Sequence, residues 1–275
     1  MSEVTLGQYY PGNSIIHRLD PRVKLFATLV FIVLLFITNN IFGFGLLAIV
    51  LAATVIASEV PFVKLLKGIR GILFILIFSA IFNLFLTDGI ILVHVGVFKI
   101  TDQGIYRAVF IAVRLIFLVI GTSIMTLTTT PNNLADGLEK AFSFLKVIKF
   151  PVHEMAMMMS LALRFIPTLI EETDKIKKAQ MARGADFESG NIFRRAKSLI
   201  PILIPLFISS IKRAVNLAQA MEARCYNGGN RTKLHPLQYK MRDAVGYICC
   251  FALIAVTIGL NISMEHLRLL LLTFM

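Results

Sequence analysis

The chain has 275 residues, of which 57% are hydrophobic and 16% are charged. Soluble globular domains carry about a quarter charged residues, so this composition excludes an ordinary soluble domain and indicates that lipid is part of the solvent. The formal net charge of +12 is typical of nucleic-acid-binding proteins, but these charges stand between long apolar runs. We therefore expect a protein that contacts membrane lipids and binds no nucleic acid.

The first apolar run is too long for one membrane crossing. Residues 25–58 are 34 positions without a charged side chain, and a single helix of that length would reach about 51 Å against a hydrocarbon core of ~30 Å. Asn39 and Asn40, followed closely by two glycines, are typical of a turn. The sequence therefore predicts two short spans, at about 22–38 and 41–57.

Three further spans are predicted, at 71–87, 105–127 and 244–264. Between the third and the fourth, residues 88–104 place Val and Ile on either side of a glycine, with acidic-glycine turns at both ends. This pattern favours a small extracellular β-hairpin. The expected fold is an all-α integral membrane protein with about five transmembrane helices, this hairpin and long amphipathic helices in the cytoplasm.

The distribution of Lys and Arg predicts the orientation. Seventeen of them fall in residues 128–240, and cytoplasmic segments of membrane proteins are enriched in these residues. A multi-pass protein with a cytoplasmic N-terminus satisfies this bias. The predicted domains are an N-terminal membrane domain of four spans at 1–127, a cytoplasmic helical domain at 128–240, and a last span with a short tail at 241–275.

Three helices are predicted within 128–240. Thr130-Pro131 caps the first, which is amphipathic. The second runs from Pro151 to about Arg183 with a kink at Pro167, and the third runs from about residue 191 to Arg224 with interruptions at two prolines, Pro201 and Pro205. Helices that are apolar on one face and basic on the other would lie against the membrane domain and present their ends to a cytoplasmic partner.

The two long helices end in the same pattern, Ala-x-x-Ala-Arg followed by a small residue. The arginines are Arg183 and Arg224, 41 residues apart. An arginine that projects from a helix end can fork onto a carboxylate or onto carbonyl groups in a partner's groove. The alternative interpretation is that each arginine only offsets the negative end of its own helix dipole.

These motifs together resemble the T component of energy-coupling factor (ECF) transporters. The resemblance extends over nearly the whole chain and is carried by the two arginine-bearing ends and by three further segments: His17-Arg18-Leu19-Asp20-Pro21-Arg22-Val23-Lys24-Leu25, Thr128-Thr129-Thr130-Pro131 and Leu163-Arg164-Phe165-Ile166-Pro167.

The resemblance implies a non-catalytic coupling subunit in a bacterial cell membrane. Two cytoplasmic ABC-type ATPases, expected to be a heterodimer, would grip the two long coupling helices and hydrolyse ATP. A separate membrane protein, the S component, would bind the substrate, and this chain would bind no cofactor. The segments at Thr128 and Leu163 look closest to the branch of the family that shares one module among several vitamin-binding S components.

The resemblance also implies which residues contact the ATPases. The motif arginines of the family correspond to Arg183 and Arg224, and the flanking positions are supporting residues. The chain departs from the family pattern at Cys225, where glycine is typical, so the local turn there is in question. The supporting residues are Ala182, Gly184, Ala223 and Cys225.

Outside the motif, Arg114 lies within the fourth predicted span, where a charge is costly, and is a candidate functional residue at membrane depth. It could instead snorkel or contact a carbonyl group. The five histidines show no metal-ligand spacing, so no metal site is expected. The chain contains no G-x-x-x-x-G-K-[ST] phosphate loop, so it is not expected to be an ATPase itself.

Three alternatives stay open at this point. A dedicated cobalt or nickel module would have the same architecture with another substrate. A membrane-embedded enzyme would need catalytic Asp, Glu or His residues near the ends of its spans, and the spans hold almost none. A secondary transporter would need polar substrate-binding residues near the midplane and usually has repeated halves.

Overall fold

The structure is a computed structural model that describes residues 9–87, 90–95, 98–148, 150–187, 189, 191–226 and 238–274. The described residues form nine α-helices, one 3-10 helix and two strands. The helices are α1 (Pro21–Ile37), α2 (Ile41–Ser58), α3 (Phe62–Leu86), α4 (Asp102–Thr128), α5 (Pro131–Ala141), α6 (Val152–Ala182), α7 (Ile192–Ser198), α8 (Ile200–Ala223) and α9 (Met241–Phe274), the 3-10 helix is Phe142–Ile148, and the strands are β1 (Ile91–Val95) and β2 (Phe98–Thr101).

The chain divides into two compact units, and the cut falls inside α5. The membrane unit contains the described parts of Gly7–Gly137 and Leu237–Met275, and the second unit contains those of Leu138–Pro236. The sequence-based cuts at 127/128 and 240/241 differ from these by ten residues and by four.

Five helical stretches among the described residues are long and apolar enough to cross a membrane, as expected for a multi-pass membrane protein. The count matches the sequence-based expectation, but the set differs. Helix α1 has 17 residues, which is about 26 Å of helix and slightly short of the hydrocarbon core. The set instead includes Phe193–Ala223, a stretch that was predicted as an amphipathic cytoplasmic helix. The five are Ile41–Ser58, Phe62–Leu86, Asp102–Thr128, Phe193–Ala223 and Met241–Met264.

The predicted turn between the first two spans is confirmed, because α1 ends at Ile37 and α2 begins at Ile41. The predicted start of the third span at residue 71 is wrong. Helix α3 begins at Phe62, directly after Pro61, and its backbone stays helical through the basic residues Lys64 and Lys67. Basic residues are compatible with the first turns of a membrane helix that emerges into water.

The predicted hairpin between the third and fourth spans is also confirmed. Strands β1 and β2 pair antiparallel, with Val95 opposite Phe98, and residues 96–97 between them lie outside the described residues. The hairpin leads directly into α4. Thr101 forms the N-cap there, since its hydroxyl accepts a hydrogen bond from the Gly104 backbone N–H at 3.1 Å and donates to the Thr87 carbonyl at 2.8 Å.

The prolines inside the two long helices do not end them. Helix α6 continues through Pro167, and α8 continues through Pro205. The break between α7 and α8 falls at Leu199, just before Pro201, which occupies the first turn of α8 where a missing N–H costs nothing. The amphipathic helix predicted from Pro131 ends as α5 at Ala141, and the 3-10 helix continues the segment.

The core of the membrane unit lies among α1, α2 and α4. Leu35 and Leu47 are completely buried there, and further apolar side chains from α4 pack around them. Gly121 allows α4 to approach α1 closely, because a Cβ atom at this position would lie 2.8 Å from the ring of Phe31. The close approach of α4 to α1 therefore depends on a small residue packing against a large one.

A buried carboxylate joins the two ends of the membrane unit's sequence. The Asp243 side chain accepts one hydrogen bond from the backbone N–H of Asp20 and one from that of Lys240, both at 2.8 Å. These donors lie at the N-termini of α1 and α9, where backbone N–H groups lack helical partners. Asp20 in turn caps α1 by accepting from the N–H of Arg22 at 2.9 Å.

A buried lysine ties α1 to the end of α4. The Lys24 ammonium donates to the carbonyl of Thr128 at 2.9 Å and, at 3.3 Å each, to the carbonyl of His17 and the hydroxyl of Thr129. Its three protons are thereby all used, and its charge lies at the negative end of α4. Two of the segments that carry the family resemblance, those around His17 and Thr128, therefore meet at one polar cluster.

Replacing Asp243 should destabilise the membrane unit. Asp243→Ala would leave the buried N–H of Asp20 and the partly buried N–H of Lys240 without acceptors, and the buried group alone costs roughly 1–3 kcal/mol in the free energy of unfolding. Asp243→Asn keeps one acceptor oxygen and should cost less. The midpoint of thermal unfolding in detergent measures the order of the variants, with the exposed Glu171→Ala as the control. Equal midpoints for Asp243→Ala and this control would contradict the assignment.

Candidate functional site: two arginine-bearing helix ends

Helix α6 ends in a tight reverse turn at Arg183. The helical residues stop at Ala182, and Gly184 adopts a left-handed backbone with φ of +86°. The N–H of Gly184 donates to the carbonyl of Met181, and the N–H of Ala185 donates to that of Gln180, both at 3.0 Å. This pair of bonds defines the Schellman motif, which satisfies the last carbonyl groups of a helix while the chain turns away.

Helix α8 ends in the same turn at Arg224. The helix stops at Ala223, the N–H of Cys225 donates to Glu222 at 2.9 Å, and the N–H of Tyr226 donates to Met221 at 3.0 Å. Cys225 takes the left-handed position with φ of +58°. The departure from glycine therefore leaves the geometry of the turn intact, at a conformational cost of roughly 1 kcal/mol for a residue with a Cβ atom.

The two arginines are exposed and unpaired. Arg183 and Arg224 each occupy the C-cap position, directly after the last helical residue, and the preceding Ala182 and Ala223 are exposed as well. Neither guanidinium makes an ion pair or a side-chain hydrogen bond with the described residues. Each end thus offers five N–H donors to a partner beside a small, accessible backbone.

Helices α6 and α8 of the second unit lie antiparallel. The Gln180 side chain near the end of α6 donates to the carbonyl of Pro201 at the start of α8. Further back along α6, the Glu172 carboxylate accepts from the guanidinium of Arg213 at 2.8 Å and also from the hydroxyl of Ser209. Both Glu172 and Arg213 are half-buried, so water screens this pair less than an exposed one.

The antiparallel pairing separates the two arginines. Arg224 and Met157 line the same cleft, so the end of α8 lies beside the first turns of α6. Arg183 lies about 26 residues further along α6, which corresponds to roughly 40 Å at ~1.5 Å per residue. The two arginine-bearing turns therefore stand at opposite ends of the helix pair.

The methionine-rich part of α6 is on the surface. Met155, Met158 and Met159 are each about half exposed, although methionines in such a cluster are more often packed in a core. Exposed apolar side chains continue along α8, and such a surface indicates contact with lipid or with another protein. The exposed large apolar residues on α8 are Ile200, Leu203, Ile204, Phe207, Ile208, Ile211 and Val215.

Arg114 has hydrogen-bond partners within the membrane unit. Its guanidinium donates to the carbonyl of Thr38 at 3.0 Å and to the side-chain oxygen of Asn39 at 3.1 Å. The aromatic rings of Phe44 and Phe110 lie within 6 Å of the same group. The geometry favours the carbonyl-contact alternative, in which Arg114 caps the end of α1.

The membrane unit also contains an apolar cavity of about 670 Å³ among α1, α2, α4 and α9. Its charged lining residue is Lys24, whose three protons are already used in hydrogen bonds to the protein. No cluster of three or more potential metal-ligating side chains occurs within the described ranges. The cavity thus presents few polar groups that could orient a polar substrate.

Sequence reasoning missed two residues that position these features. Glu172 joins α6 to α8, and Asp243 joins the starts of α1 and α9. The available signal for Glu172 was its place among three acidic residues, Glu171, Glu172 and Asp174, directly before a basic run. Asp243 carried a weaker one, an acidic side chain three positions beyond Lys240 in the first turn of the last span.

The comparisons with known proteins agree with this architecture. The family model described as "CbiQ: Cobalt transport protein" matches residues 12–235. A protein of Thermosediminibacter oceani named "Energy-coupling factor transporter transmembrane protein EcfT" is 48% identical over 249 residues, which cover 90% of this chain and 94% of the relative. Proteins of the same name from Clostridium kluyveri and Bacillus subtilis are 47% and 46% identical, covering 94% and 88% of this chain and 97% and 92% of the relatives. The chain belongs to the family of transmembrane, or T, components of ECF transporters.

Proposed function

We propose that this T component is the coupling scaffold of an ECF importer and binds two cytoplasmic ABC-type ATPases at Arg183 and Arg224. The observation that carries the proposal is the repetition of one turn, with one exposed and unpaired arginine, at both ends of an antiparallel helix pair. In this proposal, each of the two ends is contacted by one partner domain. Two ends roughly 40 Å apart suit the two subunits of a heterodimer, each with its own groove.

The antiparallel pair also supplies a path for mechanical coupling. If the ATPases move toward each other when they bind ATP, the two ends of the α6–α8 pair are pulled by different subunits. Because Glu172 and Arg213 hold the helices together near their middle, a displacement at the ends becomes a change in the angle or register of the pair. The exposed apolar faces of α6 and α8 would transmit that change to an S component.

The substrate is bound by the S component in this proposal, and we infer that it is a vitamin. The support is the resemblance of the segments at Thr128 and Leu163 to the branch with a shared module. A dedicated cobalt or nickel module is the second candidate, favoured by the description of the matching family model. Purification from native membranes distinguishes them: several different small membrane proteins bound to the same T component indicate the shared vitamin type, and one metal-binding partner indicates the other.

The orientation follows the positive-inside rule. Residues 128–240, with their seventeen Lys and Arg residues, should face the cytoplasm, as should the N-terminus, and the hairpin should face outward. Single cysteines at Ser189 and Gln103, both exposed, test this in a background without native cysteines. An impermeant thiol reagent added to intact cells should label only the Gln103→Cys variant. Labelling of Ser189→Cys under the same conditions would overturn the orientation.

The isolated chain should neither hydrolyse ATP nor bind the transported substrate tightly. It lacks a phosphate loop, and the apolar cavity of the membrane unit offers no set of convergent polar groups. We expect calorimetry with purified protein to show no saturable binding of vitamins or Co²⁺ below the millimolar range. Saturable binding without any partner would support a self-sufficient transporter instead.

Replacing the two arginines should weaken the ATPases' attachment. Loss of one member of a desolvated charge pair costs about 2–5 kcal/mol, so each of Arg183→Ala and Arg224→Ala should reduce coupled ATPase activity and uptake strongly. The double Glu variant should release both ATPases and keep the S component, because the apolar helix faces rather than the arginines hold it. Co-purification from membranes measures both effects.

The matched control for these variants is Arg194→Glu, which replaces an exposed arginine on α7 that belongs to neither Ala-Arg motif. It should leave assembly and uptake unchanged. If each arginine only stabilised its own helix end, the variants would lose at most about 1 kcal/mol in folding. Normal ATPase stoichiometry and undiminished uptake in the double Glu variant would decide for that alternative.

A further inference from the structure

The end of α8 is more than an exposed tip, because it forms one wall of a cleft. The cleft has a volume of about 430 Å³ and lies between the first half of α6 and the turn at Arg224. The lining residues are Met157, Ser160, Leu161, Arg164, Leu217, Met221, Arg224, Cys225 and Tyr226. It therefore combines an apolar floor with a set of hydrogen-bond donors.

Two positive charges line this cleft without a compensating acid. Arg164 from α6 and Arg224 from α8 both line it, and no lining residue is acidic. Neither guanidinium forms an ion pair with any described residue. Like charges that share a cleft repel each other, so an arrangement of this kind is favoured when an anion is bound between them.

A third group points to the same kind of ligand. The hydroxyl of Tyr226 is buried, and it has no hydrogen-bond partner within the described part of the chain. Buried polar groups nearly always have partners, so an orphaned hydroxyl in the wall of a cleft indicates an absent acceptor. The left-handed turn at Cys225 places Tyr226 next to Arg224 in this wall, with its N–H held by the carbonyl of Met221.

We propose that Arg164, Arg224 and Tyr226 form one composite site that receives a carboxylate side chain of the ATPase bound at this end of the helix pair. The inference rests on the proposed function and adds residues from a second helix to that anchor. The occupant is an acidic protein segment, because two guanidinium groups and a hydroxyl match a carboxylate, and the apolar floor of methionine and leucine matches an adjacent apolar side chain.

With the composite site, the two arginine-bearing ends differ in how they hold an ATPase. At the end of α6, Arg183 is presented by a turn whose Gly184 has no heavy atom within 4 Å of a Cβ position. At the end of α8, the arginine shares a walled cleft with a second arginine from the neighbouring helix. A carboxylate held by both would tie α6 and α8 together as well as to the ATPase, so attachment at this end depends on the helix pairing.

The test measures the affinity of the ATPase pair for the T component in nanodiscs, using Arg164→Gln, Arg224→Gln and the double variant. We expect each single change to weaken binding about 30-fold or more. The affinity of the double variant should fall by much less than the product of the two single factors, because both guanidinium groups hold the same carboxylate. Tyr226→Phe should weaken binding by a smaller factor. Strictly multiplicative effects of Arg164 and Arg224 would overturn the composite site.

Two controls separate this inference from the proposed function. Arg183→Gln tests the other anchor, and Arg194→Gln is an exposed arginine far from the cleft. If Arg183→Gln and Arg224→Gln leave binding unchanged, the proposed function fails. If both weaken binding while Arg164→Gln behaves like Arg194→Gln, only the composite site fails. Arg164 and Arg224 are exposed, so unchanged thermal midpoints should confirm that the variants are folded.

A change of lipid composition distinguishes a carboxylate of the ATPase from a second candidate ligand, a phospholipid headgroup. A phospholipid headgroup is also anionic and could reach a cleft beside a membrane surface. The effect of Arg164→Gln should be the same in nanodiscs of neutral phosphatidylcholine and in nanodiscs that contain phosphatidylglycerol. An effect that appears only with the anionic lipid would assign the cleft to the membrane and overturn the proposal.

Discussion

The antiparallel pairing of α6 and α8 determines where the two arginine-bearing helix ends lie. The ion pair between Glu172 and Arg213, with the hydroxyl of Ser209, lies in the middle of this pair and holds it in register. Because both helices end in the same turn, antiparallel packing necessarily sends their arginines in opposite directions. A parallel pair would place both at one end, where one partner domain could cover them.

In the membrane unit, polar side chains provide hydrogen-bond partners for backbone groups at the helix ends. Its polar side chains are used on backbone groups that have no helical partner: Lys24 on the end of α4, Asp243 on the starts of α1 and α9, and Arg114 on the end of α1. In lipid an unsatisfied backbone group is expensive, so these few charges are structural.

Much of this could be predicted from the sequence, because hydrophobicity and helix-end signals are local. The turn at residues 39–40, the hairpin and the two arginine-bearing ends follow from such signals. Partners distant in the sequence, such as Lys24 with Thr128, could not be predicted, since no local pattern shows them. Composition also gave no means to distinguish α8 from a membrane span, because its apolar face is as long as one.

The most direct test of the central claim is to identify which subunit each arginine end contacts. A photo-cross-linking amino acid placed at position 183, and separately at position 224, should form adducts with two different ATPase subunits of the assembled transporter. The adducts can be identified by mass spectrometry of the cross-linked bands. Cross-linking of both positions to the same subunit, or of neither to an ATPase, would contradict the account.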